Sequence, residues 1–198
     1  AELQALNGVV QVFPFENRGE EIGVTLHHPH GQIYAYPFIT PVTKKLLASV
    51  DSYSGDFFAD LHSYEHGSER VVIDSENFTA YVPYAARWPL ELHLMPKRAI
   101  SDLSQLAASE ADELADVYKR ILSGLDKLYS GPTPYISAWH QAPMIENRER
   151  IRLMLQITSP RRAEDKLKYL AGSESAMGAF VGDLAPEDTA NRLREVIS

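Results

Sequence analysis

Apolar and polar positions along the chain predict most of its elements before any chemistry is considered. Residues 9–16 and 32–39 are β-rich runs of strand length, separated by a stretch holding Gly19, Gly23 and Pro29. They read as two adjacent strands with a glycine-containing connection. Between Pro41 and Gly67 the residues Leu46, Leu47, Val50, Phe57, Phe58 and Leu61 fall at mixed helical spacings, broken by a turn signal from Ser52 to Gly55, which predicts two short helices. Strand candidates at 70–74, 78–84 and 90–95 follow, punctuated by Asn77 and by Trp88 and Pro89, and form an antiparallel meander. From Leu103 to Leu125 apolar residues recur at spacings of three and four. With Ser101 as N-cap and Gly131 and Pro132 as the stop, they predict a helix of about 26 residues. Strands at 134–139 and 150–158, a helix near 163–171, a strand near 177–181 and a closing helix from Pro186 complete the chain. The class is α+β, with a mostly antiparallel sheet and one long helix.

A strand, a polar loop and a strand closing on proline occur twice, once ending in the run from His28 to Pro37 and once in the run from Leu153 to Pro160. Composition then narrows the partners. Against 27 Asp and Glu stand 19 Lys and Arg, a net charge of -8, so no global cationic field exists to hold a nucleic acid backbone. No apolar run approaches the ~18 residues of a membrane span, so no membrane is expected as a partner. The absence of cysteine removes thiol nucleophiles, disulfides and thiolate zinc sites. Without a signal-peptide pattern the expected location is cytoplasmic. Ala1 in place of an initiator Met, with few residues before the first strand run, suggests a chain that starts inside a domain.

Candidate chemistry concentrates between Glu16 and Gln32. His27, His28 and His30 surround Pro29 and precede Gly31 and Gln32. Taken alone, such a cluster is commonly a solvated loop or an adventitious metal binder. In an extended chain, however, His28, His30 and Gln32 share a face, and the glycine turns bring Thr25 and Asn17 to the same mouth. That arrangement suits phosphoryl or nucleotidyl transfer. An imidazole attacks phosphorus when its other ring nitrogen donates to a fixed acceptor, such as the His28 carbonyl. Gln32 and Thr25 offer neutral donors to phosphate oxygens, and Gly19 and Gly23 let backbone N–H groups approach an anion. Elsewhere the readings are plainer. His62, His66 and His93 lack partners at ligand spacing and are structural or solvated, Trp88 and Trp139 beside prolines are core packing, and Glu110, Asp112, Glu113 and Asp116 form a solvated helix face.

The ordered set Asn17, Gly19, Gly23, Thr25, His28, Pro29, His30, Gly31 and Gln32 resembles the active-site signature of the galactose-1-phosphate uridylyltransferase family, a branch of the histidine-triad superfamily. The resemblance continues through Val82 to Tyr84, Trp88 to Glu91, Met95 to Lys97, Trp139 to Pro143 and Lys168 to Glu174, over nearly the whole chain. It implies a histidine-triad-like fold. Residues 1–40 would be the last strands of a first unit with the active-site motif, 41–68 a helical connection, and 69–198 a complete but catalytically degenerate second unit.

The resemblance also implies a reaction. His30 attacks the α-phosphorus of UDP-glucose, releases glucose 1-phosphate and passes UMP on to galactose 1-phosphate. His30, Gln32 and His28 are the catalytic candidates, and Asn17, Gly23 and Thr25 the substrate-binding ones. Lys168 and Glu174 match a segment that reaches the hexose across a homodimer interface, although Ser173 stands where the family has an aromatic residue. His28 and His140 match metal-ligand positions whose partners are absent, because Met154 and Gln156 replace a histidine pair and no cysteine exists. No cofactor is therefore expected of this chain, and zinc only together with an N-terminal half of the enzyme, itself an implied partner. Two alternatives accompany this reading: another sugar nucleotide such as ADP-glucose, or a fragment inactive without that half.

Overall fold

The computed structural model describes residues 1–25 and 31–197, and within them a seven-stranded sheet organises the chain. Its strands are β1 (Gln11–Arg18), β2 (Gly31–Tyr36), β3 (Val71–Asp74), β4 (Phe78–Tyr81), β5 (Leu90–Pro96), β6 (Tyr135–His140) and β7 (Met154–Ser159). They run in the order β2-β1-β6-β7-β5-β4-β3, every neighbouring pair antiparallel. A small hairpin, β8 (Arg161–Ala163) with β9 (Lys166–Leu167), follows β7. The helices are α1 (Pro41–Ser52), α2 (Phe57–His66), α3 (Ala108–Leu125), α4 (Gly172–Met177) and α5 (Pro186–Val196). The α+β class and the antiparallel sheet are those the sequence predicts.

Alternation along the central strands divides the core between two faces. Leu90, Leu92 and Leu94 of β5 join Leu155 and Ile157 of β7 beneath Leu114, Val117, Ile121 and Leu125 of α3 and Ala190 and Leu193 of α5. Each buried Leu, Ile or Val among them contributes on the order of 1.5–3 kcal/mol. Tyr81 and Met95, one step out of phase, face the other way and pack with Ile151 against Val50 of α1 and Phe58 of α2. The start of α1 is tied to β1 by Gln11, which donates to Thr43 Oγ1 at 2.8 Å and accepts from the Thr40 N–H at 2.9 Å. Asp56 caps α2 by accepting from the Ala59 N–H at 3.0 Å.

The structure corrects three of the predicted elements. The helix expected from Ser101 is only Ala108–Leu125, because the Asp102 carboxylate accepts from the Ser104 N–H at 2.9 Å to cap a separate 3-10 turn, after which Leu106 and Ala107 are extended. Leu103 and Leu106 keep helical spacing in sequence yet reach the core from a broken path. The helix near 163–171 is instead the β8–β9 hairpin, closed by Lys168 N–H donating to Pro160 O at 2.7 Å, so tertiary pairing overrides a run of good helix formers. No strand forms at 177–181. Gly178 ends α4 at φ 68, and the Val181 N–H donates to the Glu174 carboxylate at 3.2 Å rather than to a ladder.

Of the four helix acids Asp112 and Asp116 are exposed as expected, but Glu110 and Glu113 are not simply solvated. Glu110 accepts from Ala107 N–H at 2.7 Å and pairs with Arg98 at 2.7 Å, which together hold its carboxyl at about 2. Glu113 closes the β3–β4 turn by accepting from the Asn77 N–H at 2.9 Å and the Ser75 hydroxyl at 2.5 Å.

Candidate active site

The β1–β2 hairpin positions the predicted site residues that fall within the described chain. Phe15 lies opposite Gln32 and Glu16 opposite Gly31. Residues directly paired across an antiparallel ladder project to the same side, and alternate residues of one strand do likewise. Asn17, two residues beyond Phe15, therefore faces the same side as Gln32. Phe13, Phe15, Tyr34 and Tyr36 share that face as a chain of ring contacts, Phe13 stacking on Phe15 at 5.2 Å and Phe15 meeting Tyr34 edge-on at 4.9 Å. His140 of β6 borders it, its ring 6.3 Å from Phe13.

The connection after β1 shows why its glycines are needed. At Gly19, with φ 111, an added Cβ would lie 2.6 Å from Pro134 Cβ, so only glycine lets the chain rest on that proline. A 3-10 turn, Glu20–Ile22, then ends on left-handed Gly23, whose N–H donates to Glu20 O at 2.9 Å. What both glycines supply here is the turn. Thr25 is exposed. His27, His28 and His30, the core of the predicted chemistry, lie outside the described residues.

A cavity of about 560 Å3 flanks this turn, lined by Arg18, Gly19, Glu21, Thr133, Pro134 and Arg161 among others. Its two guanidiniums are already engaged: Arg18 pairs with Asp126 at 2.9 Å, and Arg161 pairs with Glu21 and lies 5.6 Å from the Tyr129 ring. Neither presents an unpaired charge to an anion.

The second hairpin, β6–β7, carries a buried polar chain instead. His140 Nε2–H donates to Gln156 Oε1 at 3.0 Å, and Gln156 Nε2 donates to Glu91 Oε1 at 2.7 Å. His93 Nε2–H reaches the same carboxylate oxygen at 3.2 Å, and the Arg87 N–H reaches the other at 2.6 Å. Burial raises the Glu91 carboxyl, but the donors and charges of His93 and Arg87 outweigh it and hold the group at about 2. Burial pushes the His140 imidazole below its ordinary value, so it is neutral at pH 7. His93, read as lacking a partner at ligand spacing, thus has a structural one in Glu91.

Among the described residues no group of three His, Asp or Glu is placed to hold a metal ion. The residues at the family's second metal position do not fit one: Gln156 is committed to His140 and Glu91, and Met154 belongs to the apolar cluster under α1 and α2. Lys168 and Glu174 are brought together, but with each other. Lys168 Nζ lies 2.7 Å from Glu174 Oε1 and donates to the carbonyls of Arg87 and Val181 at 2.7 Å. Glu174 also accepts from the Ala171 N–H at 2.9 Å. This pair folds the segment from β9 to the start of α5.

Sequence reading missed what holds β1 from behind. Glu16 and Arg18 project to the face opposite Asn17, toward α3, where Glu16 meets Tyr118 and Tyr135 and Arg18 meets Asp126. Two charged residues in alternation on a strand were the available signal.

The fold places the chain among proteins built like a uridylyltransferase. A solved structure described as that of a uridylyltransferase superposes with a TM-score of 0.91 at 32% identity, covering 99% of this chain and 63% of that one. An ADP-glucose phosphorylase from Arabidopsis thaliana, at 24% identity and a TM-score of 0.86, shares the fold. The sequence pattern of the galactose-1-phosphate uridyl transferase C-terminal domain matches residues 49–197, and that of the N-terminal domain matches residues 1–40. The chain belongs to the galactose-1-phosphate uridyl transferase family. Similar curated proteins are the galactose-1-phosphate uridylyltransferases of Streptomyces lividans, 41% identical over 99% of this chain and 59% of the relative, and of Thermotoga maritima, 38% identical over 94% and 60%. The chain thus spans about three fifths of the length of these relatives.

Proposed function

We propose that the chain supplies the nucleophilic strand pair of a uridylyl transfer, moving UMP from UDP-glucose to galactose 1-phosphate. A ring nitrogen of His30 forms a bond to the α-phosphorus while the bond to the bridging oxygen breaks and glucose 1-phosphate leaves. A phosphate oxygen of galactose 1-phosphate then displaces the histidine and regenerates it. Gln32 and Asn17 donate to the nonbridging oxygens and the nucleotide, and His28 and Thr25 complete the mouth.

The observation that carries this reading is the common face of Asn17 and Gln32 on a hairpin whose sequence is matched by the family's N-terminal domain pattern. Neutral amide donors stabilise developing charge without protonating the nucleophile. We further propose that the active protein is a cytoplasmic dimer, that it works together with the N-terminal segment its relatives carry, and that this chain itself binds no metal. Among the described residues no helix is long and apolar enough to cross a membrane.

The test is covalent trapping. Natural full-length protein quenched after brief exposure to UDP-glucose labelled at the α-phosphate is expected to carry acid-labile, base-stable label, and His30→Asn to carry none while binding UDP-glucose with nearly unchanged affinity. No label in an active wild-type preparation defeats the reading. Label from ADP-glucose but not UDP-glucose moves the assignment to a different nucleotide.

A further inference from the structure

The side of β1 that turns away from Asn17 is built to hold the hairpin still. Glu16 lies opposite Gly31 on one neighbouring strand and opposite Ser137 on the other. Its carboxylate accepts from the Tyr135 hydroxyl at 3.0 Å and from the Tyr118 hydroxyl at 3.3 Å, and Tyr118 Oη is 2.9 Å from Ser137 Oγ. Two residues on, the Arg18 guanidinium pairs with Asp126 just past the end of α3 and lies 5.6 Å from the Tyr135 ring. Burial pushes the Tyr118 hydroxyl up to about 12 and moves Tyr135 in the same direction, so both remain proton donors at neutral pH. A cavity of about 340 Å3 lies alongside, with Tyr118, Ser137 and Trp139 on one side and Gly31, Gln32 and Ile33 on the other.

Topology gives this clamp its leverage. Among the described strands β2 pairs with β1, and β1 reaches the rest of the sheet through a ladder with β6 that covers Phe15, Glu16, Asn17 and Arg18. Val10, Gln11 and Val12 hold the start of β1 through Met144, Thr43 and Gln141, and at the end of β1 nearest Gln32 the ladder through those four residues sets its place against the body of the fold. Glu16 sits among them, adjacent to Asn17 in sequence and across from the residue that precedes Gln32. A hydrogen bond to an ionised acceptor is roughly twice as strong as one between neutral groups, which suits a carboxylate to this task.

We propose that Glu16 is a positioning residue of the transfer reaction, fixing β1 against Tyr118 and Tyr135 so that Asn17 and Gln32 keep one spacing toward the reacting phosphorus. This rests on the reading of the preceding subsection. Donors aimed at developing charge lose much of their effect when displaced by about 1 Å, whereas ground-state binding tolerates such a shift.

The experiment uses the natural full-length protein and the variants Glu16→Gln, Tyr118→Phe and the two combined. Steady-state rates, KM for UDP-glucose, melting temperature and the rate of label transfer to the protein are measured at a temperature where each is fully folded. Each single variant is expected to lower kcat and label transfer by roughly 10-fold, with KM for UDP-glucose within about twofold of wild type. The double variant should be no slower than the slower single one, because both changes release the same clamp. Unchanged kcat in the single variants overturns the proposal. So does a kcat loss that disappears once the folded fraction is matched, or one that is fully additive in the double variant. Should Glu16→Gln fail to fold, Tyr135→Phe replaces it, since it removes one donor and keeps the ring. Failure of the uridylyl-transfer reading shows in wild type, as absent label, and takes this proposal with it; failure of the clamp alone shows only in the variants.

Discussion

Gln32 and Gln156 stand in one row across the sheet, with Phe15 and Ala138 between them and His93 continuing the row. Three strand spacings separate their backbones, about 14 Å. The β1–β2 and β6–β7 hairpins meet back to back at the β1–β6 ladder, so the two glutamines occupy matching places about an approximate twofold axis. Their surroundings differ. Gln156 spends its amide on Glu91 and His140, whereas Gln32 lies on an exposed strand beside the predicted nucleophile. One glutamine is buried among partners of its own chain, and the other is exposed.

Alanine at each of these positions should separate the two roles. Gln156→Ala strips a buried donor from Glu91 and a buried acceptor from His140, and is expected to cost about 1–3 kcal/mol of stability, read from urea midpoints. Gln32→Ala should leave the midpoint within about 0.5 kcal/mol while slowing transfer roughly 10-fold to 1000-fold. A reversed pattern, with Gln156→Ala slow but stable, would place the chemistry on the wrong hairpin here.

Acid should find Glu91 early. Its folded carboxyl stands at about 2 against an ordinary value of 4.5. As pH falls the unfolded chain takes up this proton first, so the group's stabilisation is complete above about pH 4.5 and is lost as pH drops toward 2. Urea titrations at steps from pH 7 to pH 2.5 are expected to show this fall in wild type. In Glu91→Gln stability should be lower at pH 7 and the slope below pH 4.5 shallower. An identical slope in both proteins would assign the acid sensitivity to other carboxylates.

Much of this fold was legible because period and burial agree. Leu90, Leu92 and Leu94 alternate and are all buried, and the stripe from Leu114 to Leu125 faces the core as its spacing requires. Where the reading failed, a side chain had replaced a backbone partner in two cases, and in the third the β8–β9 hairpin formed in place of a helix. Asp102 cut the long helix by capping a turn of its own, and Glu174 took the N–H groups of Ala171 and Val181 that a longer helix or a strand would have used. Such choices depend on residues far along the chain, such as Arg148 beside Asp102 at 2.7 Å, and leave no periodic trace. The motif around Gln32 points to chemistry in the sequence through its residue types and their spacing, and the structure describes the strands on either side of it. The clamp behind it was not legible, since Tyr118 and Tyr135 lie over a hundred residues from Glu16.

Gly19→Ala tests the connection between motif and scaffold. The new methyl group would meet Pro134 at 2.6 Å, and alanine disfavours a φ of 111. A destabilisation of about 1–3 kcal/mol is expected by thermal or urea unfolding. Gly131→Ala, where nothing lies within 4 Å, is the control and should change stability by less than about 0.5 kcal/mol. Equal effects at the two sites would count against the close packing at Pro134.

Elemental analysis addresses the metal question directly. Protein comprising these 198 residues, washed with chelator, is expected to hold well under one zinc or iron per chain, since His140 is bonded to Gln156 and its other family partners are replaced. One tightly bound ion per chain would assign a site to His27, His28 and His30.

The antiparallel ladder between β1 and β6 also sets an order of events in the life of the chain. Phe15 meets Ala138 only after more than a hundred further residues have left the ribosome, and closing so long a loop is slow compared with forming a hairpin or a helix. The β1–β6 ladder must therefore wait, while α1, α2 and the β3–β5 meander can already form. Synthesis speed and chaperone holding should matter most for this interval, and conditions that shorten it should raise the yield of native protein without altering its final stability.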